Sequence, residues 1–112
     1  MIPKTRRMDR LAVLLVFKSG FRVFGPAIAL SYANKDGQNG PRVAFVVSKK
    51  VAKTAVERNK IRRRCYASVF PFLSRVKSSF LLVFSVKNVL VTADRQKLTQ
   101  EIERLLKKAG AL

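Results

Sequence analysis

The sequence predicts an α+β fold, a single-domain α-β sandwich whose elements follow the order α-β-β-α-β-α. Three observations lead to this class. The chain has 112 residues, which is enough for one hydrophobic core and too few for two. Its hydrophobic fraction of 48% is ordinary for a globular protein. The spacing of apolar residues changes along the chain from a period of two, typical of strands, to a period near four, typical of helices. We therefore expect residues 1–112 to form one domain.

The first predicted element is a helix from about Arg10 to Lys18, with Asp9 as its N-cap and Ser19-Gly20 at its end. Residues 1–9 are basic and poorly patterned, so we expect a flexible arm. The apolar run Leu11 to Phe17 follows several cations, as in a secretory signal, but it is far too short to span a membrane. We expect this helix to be buried against a sheet, and the protein to be cytoplasmic with no membrane partner.

Two strands are predicted to follow this helix. The first begins after Pro26 and has two faces, one with Ile28, Leu30 and Tyr32 and a small-residue face with Ala27, Ala29 and Ser31. Residues 34–41 are rich in turn formers, and Arg42 to Ser48 read as the second strand. Because a short turn segment joins them, the sequence predicts that the two strands form a hairpin.

The apolar period lengthens after the second strand and predicts a helix. Its apolar seam consists of Ile61, Cys65 and Val69. Arg58 and Arg62 fall beside the seam, so we expect their aliphatic stems to pack and their charged ends to face solvent. Cys65 is best interpreted as a small buried apolar residue. Pro71 is predicted to end this helix.

The final elements are a strand and an amphipathic helix. The run Ser79 to Val86 is short and apolar, as expected for a central strand. The apolar stripe of the terminal helix is Leu98, Ile102, Leu105, Leu106 and Ala109. Asp94 is its candidate N-cap and Gly110 lies just past its end. Glu103 and Lys107 have the spacing of an i, i+4 ion pair.

Charge and composition limit the possible functions. The chain carries 24 Lys and Arg residues against 6 acids, a net charge of +18, and contains one cysteine and no histidine. This composition excludes an internal disulfide, the usual zinc and iron ligand sets, and the commonest general base. Between Lys49 and Arg64 eight basic residues occur with one acid, Glu57, and apolar residues are threaded through them. The pattern predicts an ordered surface that binds the phosphates of a nucleic acid.

The segment RVAFVVSKKVAKTAVERNKIRRRC resembles the signature of the bacterial ribonuclease P protein subunit. The segments VFKSGFRV and SFLLVFSV resemble further parts of that family, so the similarity covers about residues 10–108. The usual Arg-Asn-Arg triplet is Arg58, Asn59 and Lys60 here, and lysine lacks the forked donor geometry of arginine. The resemblance implies a left-handed β-α-β crossover in the fold. It also implies an RNA-binding subunit of the enzyme that removes the 5′ leader of precursor tRNA, with catalytic RNA holding most of the Mg²⁺.

The resemblance implies two sets of binding residues. The set expected to contact the catalytic RNA is Lys49, Lys50, Lys53, Arg58, Asn59, Lys60, Arg62, Arg63 and Arg64. The alternative for the whole set is a basic helix that is merely solvated, and for Asn59 it is also a role in fixing the start of the helix. The set expected to contact the leader is Phe17, Phe21, Arg22, Ala29 and Ser31, because aromatic and cationic side chains around a shallow groove suit a single strand. The alternative for Phe17 is a role in the core.

Two other classes of protein remain open from composition alone. A structural RNA-binding protein of ribosomal type shares the size, the charge and the lack of catalytic groups. A DNA-binding module fits less well, since the sequence has no helix-turn-helix or zinc pattern. Stimulation of precursor-tRNA cleavage by a bacterial ribonuclease P RNA is the property that separates the first interpretation from these two.

Overall fold

The computed structural model describes residues 4–112, and for residues 4, 90 and 91 it describes the backbone alone. The regular elements are α1 Arg10–Ser19, β1 Phe21–Phe24, β2 Ile28–Asn34, β3 Arg42–Val47, α2 Ala55–Leu73, β4 Phe80–Val86 and α3 Arg95–Lys108. Short 3-10 segments occur at Lys4–Arg6 and Val89–Ala93. This order confirms the predicted α+β class and adds one strand, β1. No helix among the described residues is long and apolar enough to cross a membrane.

The four strands form one sheet with the order β1-β2-β4-β3. β2 pairs antiparallel with β4, and β3 pairs parallel with β4 on its other side. The predicted hairpin between β2 and β3 is therefore wrong. Six of the seven β4 residues are buried, so this strand takes a central position. Gln38 in the loop after β2 donates to the carbonyl oxygens of Ser78 and Phe80, both at 3.0 Å, which fastens the loop over the start of β4.

The parallel pair β3 and β4 is connected through α2, which gives a β-α-β unit. A left-handed sense for this connection stays a prediction. β1 pairs antiparallel with β2. Sequence reasoning missed β1 because three of its four residues are exposed, so the segment lacks an alternation of apolar and polar residues.

The main core lies between one face of the sheet and the helices α2 and α3. The predicted seam of α2 and the four leucine and isoleucine residues of the α3 stripe are buried there, as expected. Phe45 and Phe84 stack at the centre with ring centroids 4.8 Å apart. Pro71 does not end α2, contrary to prediction, and the helix continues to Leu73. The burial of Phe72 and Leu73 in the core offsets the hydrogen bond that proline cannot donate.

Helix α1 packs on the opposite face of the sheet. Val16 is buried against Leu81 and Val83, whereas most of the predicted buried run is exposed. The exposed large side chains of α1 are Leu11, Leu14, Leu15 and Phe17. One helix on this face can bury only one narrow stripe, so the expectation of a buried α1 holds for Val16 and fails for most of its neighbours. α1 ends at Gly20, where its backbone lies close to the backbone of Tyr32. A Cβ at this position would be only 2.5 Å from the Tyr32 carbonyl oxygen.

The helix caps follow the sequence. The Asp9 carboxylate accepts from the Ala12 backbone N–H at 2.8 Å, and Asp94 accepts from the N–H groups of Gln96 and Lys97. Glu103 and Lys107 form the predicted pair, with Oε2 and Nζ 3.6 Å apart. These contacts confirm the predicted caps at the starts of α1 and α3.

The N-terminal arm is docked over the part that the structure describes. Arg7 forms an isolated parallel bridge with Val43 on the outer side of β3. Arg6 donates from Nη2 to the Asn39 carbonyl oxygen at 3.1 Å. Gly40 has a φ of 141°, and a Cβ at this position would lie 2.5 Å from the Arg6 guanidinium carbon. Edge pairing and the Arg6 contact therefore place this part of the arm against the sheet. The flexibility of the arm stays a prediction, and residues 1–3 lie outside the described residues.

Candidate nucleic-acid interface

The start of α2 is fixed by a cap that also engages the acid of the basic segment. Thr54 Oγ1 accepts from the Glu57 backbone N–H at 3.1 Å and donates to the Glu57 carboxylate at 3.1 Å. A carboxylate in the first turn also interacts favourably with the positive end of the helix dipole. Glu57 is thereby bound at the helix start, and it forms no ion pair with the neighbouring cations.

Arg58 is directed back toward the loop that precedes α2. Its Nη1 donates to the carbonyl oxygens of Ala52 and Lys53, both at 3.0 Å. The side chain is half-buried, and its guanidinium is bonded to the backbone of the loop. The two carbonyl groups at the end of the loop need a donor, which Arg58 supplies. Its observed contacts therefore shape the loop that carries Lys49, Lys50 and Lys53.

Asn59 and Arg62 are paired on one side of α2. Arg62 Nη2 donates to Asn59 Oδ1. The bond orients the Arg62 guanidinium along the helix surface and engages the amide oxygen of Asn59. The alternative role for Asn59, fixing the helix start, belongs in this structure to Thr54.

The remaining predicted RNA-contacting cations are exposed. They are Lys49, Lys50, Lys53, Lys60, Arg63 and Arg64. At 100° per residue, Arg63 lies on the flank of α2 that carries Asn59 and Arg62, whereas Lys60 and Arg64 lie on the opposite flank. A cavity of about 240 Å³ on that second flank is lined by both Arg64 and Arg95. The structure thus divides the predicted single array between two flanks of the helix.

The predicted leader residues divide between the two faces of the sheet. Phe21 pairs with Tyr32, and their rings lie 5.8 Å apart on the face that carries the main core. Arg22 pairs with Ser31, and Phe24 with Ala29, on the face that carries α1. Side chains alternate along a strand, so Phe21 cannot join Arg22 on one face. The grouping of Phe21 with the other leader residues is therefore wrong.

Ala29 and Ser31 are buried, with exposures of 1% and 4%, so they offer little surface to a ligand. Phe17 is 42% exposed, which shows that it is more than a core residue. Leu15 lines a cavity between α1 and the loop after β2. Leu15 and Phe17 lie about 100° to either side of Val16 around the helix axis. Phe17 is therefore on the flank of α1 opposite to Leu15.

Phe24 is a surface aromatic that sequence reasoning missed. Its ring is 58% exposed, and two cations lie over it. The Arg22 guanidinium carbon is 5.4 Å from the ring centroid and Lys87 Nζ is 5.8 Å from it. The signal was present in the sequence, because Arg22 and Phe24 are two residues apart and would share a face once the segment is recognised as a strand. The three side chains form an exposed cationic and aromatic surface.

Helix α3 holds the turn that follows Phe24. Glu101 is buried, and its Oε2 accepts from the Ala27 backbone N–H at 2.9 Å. Lys108 Nζ donates to the Phe24 carbonyl oxygen at 3.1 Å. These two contacts fix the β1 to β2 turn, and with it the backbone of Phe24, against the C-terminal helix.

Groups suited to catalysis or metal binding are scarce. The described residues contain no cluster of three or more acidic or cysteine side chains that could hold a metal ion. Cys65 is fully buried, as predicted, and its burial raises the pKa of the thiol from 9.0 to about 12. A thiol in this state is a poor nucleophile.

Comparison with known proteins identifies the family. The sequence model of the family described as Ribonuclease P matches residues 4–110. A ribonuclease P protein component from Synechococcus sp. (strain JA-2-3B'a(2-13)) is 33% identical, with 100% of this chain and 87% of the relative covered. One from Mycobacterium sp. (strain KMS) is 34% identical, with 97% and 93% covered.

Solved structures share the fold. The RNase P protein from Staphylococcus aureus has a TM-score of 0.80 and 21% identity, covering 95% of this chain and 96% of that one. The RNase P protein from Thermotoga maritima has a TM-score of 0.78 and 21% identity, covering 91% and 96%. Together with the match of the family model over almost the whole chain, these findings show that the chain belongs to the ribonuclease P protein family, the protein component of the ribonucleoprotein that processes tRNA.

Proposed function

We propose that this chain binds the catalytic RNA of ribonuclease P and the 5′ leader of precursor tRNA in the bacterial cytoplasm, and thereby promotes endonucleolytic removal of the leader. The observation that carries the proposal is the set of exposed cations on α2 and the loop before it. The protein acts as a non-catalytic subunit, and the RNA performs the chemistry.

The cations of α2 are suited to RNA because none of the described acids forms an ion pair with them. The one ion pair among the described residues joins Glu103 to Lys107, and both residues belong to α3. A net charge of +18 on one small domain repels itself, and RNA phosphates relieve that repulsion. The fixed loop and the capped helix hold the charges in place, which lowers the entropy lost on binding.

A single-stranded leader is best matched by the face of the sheet that carries Phe24. An exposed ring offers a surface for stacking of an unpaired base, and Arg22 and Lys87 lie close enough to neutralise the adjoining phosphates. Phe17, exposed on α1 over the same face of the sheet, is the second aromatic candidate. Ala29 and Ser31 are buried beneath this face, so they support it without offering contact area of their own.

The chemistry of hydrolysis is assigned to the RNA with its bound Mg²⁺. Mg²⁺ held by the RNA would supply the activation of the attacking water. The described residues of this chain contain no cluster of three or more acidic or cysteine side chains that could hold the ion. The contribution of the chain is to bind and to orient.

Reconstitution tests the proposal. The purified chain is added to a bacterial ribonuclease P RNA at low Mg²⁺, and cleavage of precursor tRNA is measured. We expect the chain to accelerate leader removal, whereas a ribosomal RNA-binding protein of similar charge serves as the control and leaves the rate unchanged. Equal stimulation by the control protein would show that charge alone acts, and no stimulation by the chain would overturn the proposal.

A further inference from the structure

A cavity of about 560 Å³ lies where the N-terminal arm passes α2 beside the outer strand β3. Its lining residues are Arg7, Val56, Asn59, Arg62, Arg63 and Tyr66. Tyr66 closes the side toward the sheet, since its hydroxyl oxygen accepts from the Phe45 backbone N–H at 3.3 Å. The cavity therefore joins the arm, the edge of the sheet and the basic helix.

The backbone directs Arg7 into this space. Arg7 is paired with Val43, and residues paired across strands direct their side chains to the same face. Val43 is fully buried in the main core, on the side of the sheet that α2 covers. The neighbouring Arg6 is held by the Asn39 carbonyl oxygen, which keeps the arm in this register.

One buried donor that lines the cavity has no acceptor in the described part of the chain. Arg7 Nε is buried and has no hydrogen-bond partner among the residues that the structure describes. Leaving a buried charged donor without an acceptor is costly. Arg7, Arg62 and Arg63 all line the cavity, and no carboxylate lines it. An anion with several oxygens would satisfy Nε and reduce the repulsion, and the forked geometry of arginine matches phosphate.

The space is larger than a phosphate group needs. Val56 and the ring of Tyr66 add an apolar wall, and Val56 is 77% exposed. A volume of this size is in the range of ordinary ligand sites, so the space can take a group larger than phosphate. The combination of a cationic end and an apolar wall is the chemistry of a nucleotide site.

We propose that this cavity binds one nucleotide of the RNA partner, with its phosphodiester held by Arg7, Arg62 and Arg63 and its nucleoside against Val56 and Tyr66. The inference rests on the proposed function, in which α2 contacts RNA, and it makes the N-terminal arm a part of the site.

Titration of the full chain with small probes tests the cavity without RNA. The arginine Nε–H resonances are followed by nuclear magnetic resonance while inorganic phosphate or adenosine 5′-monophosphate is added at constant ionic strength. We expect the Arg7 resonance to shift to saturation, at lower concentration for the nucleotide because its nucleoside contacts the apolar wall. A shift that does not saturate, or one equally large at the exposed Arg10, overturns the site.

Binding of a ribonuclease P RNA tests whether the nucleotide comes from the partner. Arg7→Gln is compared with Arg10→Gln, which removes the same charge three residues along the chain. At about 0.2 M salt we expect Arg7→Gln to weaken binding roughly tenfold and Arg10→Gln less than about twofold. Of these two arginines only Arg7 lines the cavity and can donate to a group bound there. Arg7→Lys retains the charge without the Nε donor and is expected to resemble Arg7→Gln. A thermal melt of each variant checks that the arm substitution leaves the fold intact.

Equal effects of the Arg7 and Arg10 substitutions on RNA binding overturn the inference. If the small probes still saturate, the cavity binds a free anion and not a nucleotide of the RNA. In that case wild-type binding and stimulation of cleavage leave the proposed function standing. A wild-type chain that neither binds the RNA nor stimulates cleavage overturns the proposed function itself, and the RNA assignment of this cavity falls with it.

Discussion

Arg58 Nη1 donates to the carbonyl oxygen of Ala52 at 3.0 Å, across the turn between β3 and α2. A second bond from the same nitrogen reaches the Lys53 carbonyl oxygen. The arginine of the basic segment that stands nearest the helix start is therefore bonded to its own chain. These two bonds hold the loop in place, so a substitution of Arg58 should lower stability, which the loss of a phosphate ligand alone would not do.

Arg58→Ala should destabilise the protein by about 1–2 kcal/mol, with a fall in Tm of roughly 4–10 °C, because two carbonyl groups lose their charged donor. Arg58→Lys should weaken RNA binding almost as much as Arg58→Ala, since lysine cannot reproduce the geometry. The control is Lys60→Ala, which should reduce the slope of log affinity against log salt by roughly 0.7–0.9 and leave Tm nearly unchanged. Full RNA affinity in Arg58→Lys would show that only the charge matters.

Phe24→Ala should weaken binding of leader-bearing precursor tRNA to the reconstituted enzyme by about 5-fold to 30-fold, because loss of one base-stacking surface costs roughly 1–2 kcal/mol. Phe21→Ala is the matched control, since Phe21 is exposed on the same strand but faces the other side of the sheet. Dissociation constants for precursor and mature tRNA are compared. Mature tRNA should bind all three proteins equally, and equal losses in the two variants would contradict the assignment to Phe24.

Glu101→Ala should cost about 1–3 kcal/mol in the free energy of unfolding, because it leaves the buried Ala27 N–H without an acceptor. Glu101→Gln keeps an acceptor oxygen and should cost less. Glu103→Ala removes an acid of the same helix from a surface pair and should change stability by less than about 1 kcal/mol. Urea denaturation measures all three. A cost for Glu103→Ala equal to that for Glu101→Ala would mean that the turn is not held by Glu101.

Stability should fall at high pH partly through Cys65. The pKa of its thiol is raised from 9.0 to about 12 by burial, so below pH 9 both folded and unfolded chains carry the proton. Between pH 9 and 12 the unfolded chain loses the proton first, and stability falls by at most about 1.4 kcal/mol per pH unit. Cys65→Ala should show a shallower decline between pH 8 and 10.5 in denaturation experiments, with the lysine contribution common to both proteins. Parallel declines would exclude a contribution from the thiol.

Local features of the fold were predictable from the sequence and long-range ones were not. Asp9 and Asp94 were recognised as caps because a cap depends on residues three positions apart. The pairing of β2 and β3 with β4 depends on residues separated by a helix, so the short loop between β2 and β3 indicated a hairpin that does not exist. Pro71 does not end α2, because the burial of Phe72 and Leu73 favours continuation of the helix.

In the candidate site, too, local features were predictable from the sequence and long-range contacts were not. The exposed cations followed from charge density, but the direction of the Arg58 guanidinium depends on carbonyl groups six and five residues back, which composition does not reveal. Phe24 was missed because β1 was missed. The contact of Arg7 with the sheet could not be predicted, because its partner Val43 lies far along the chain.

The central position of β4 has a consequence for the order of events during translation. β2 and β3 have no hydrogen-bonded strand in common until residues 80–86 leave the ribosome. The whole cationic segment, residues 49–64, is synthesised before them. A nascent chain therefore displays its positive charge as an unfolded polycation before the sheet can close, and a cell crowded with ribosomal RNA is a hazard at this stage. Rapid arrival of the last two elements shortens that exposure.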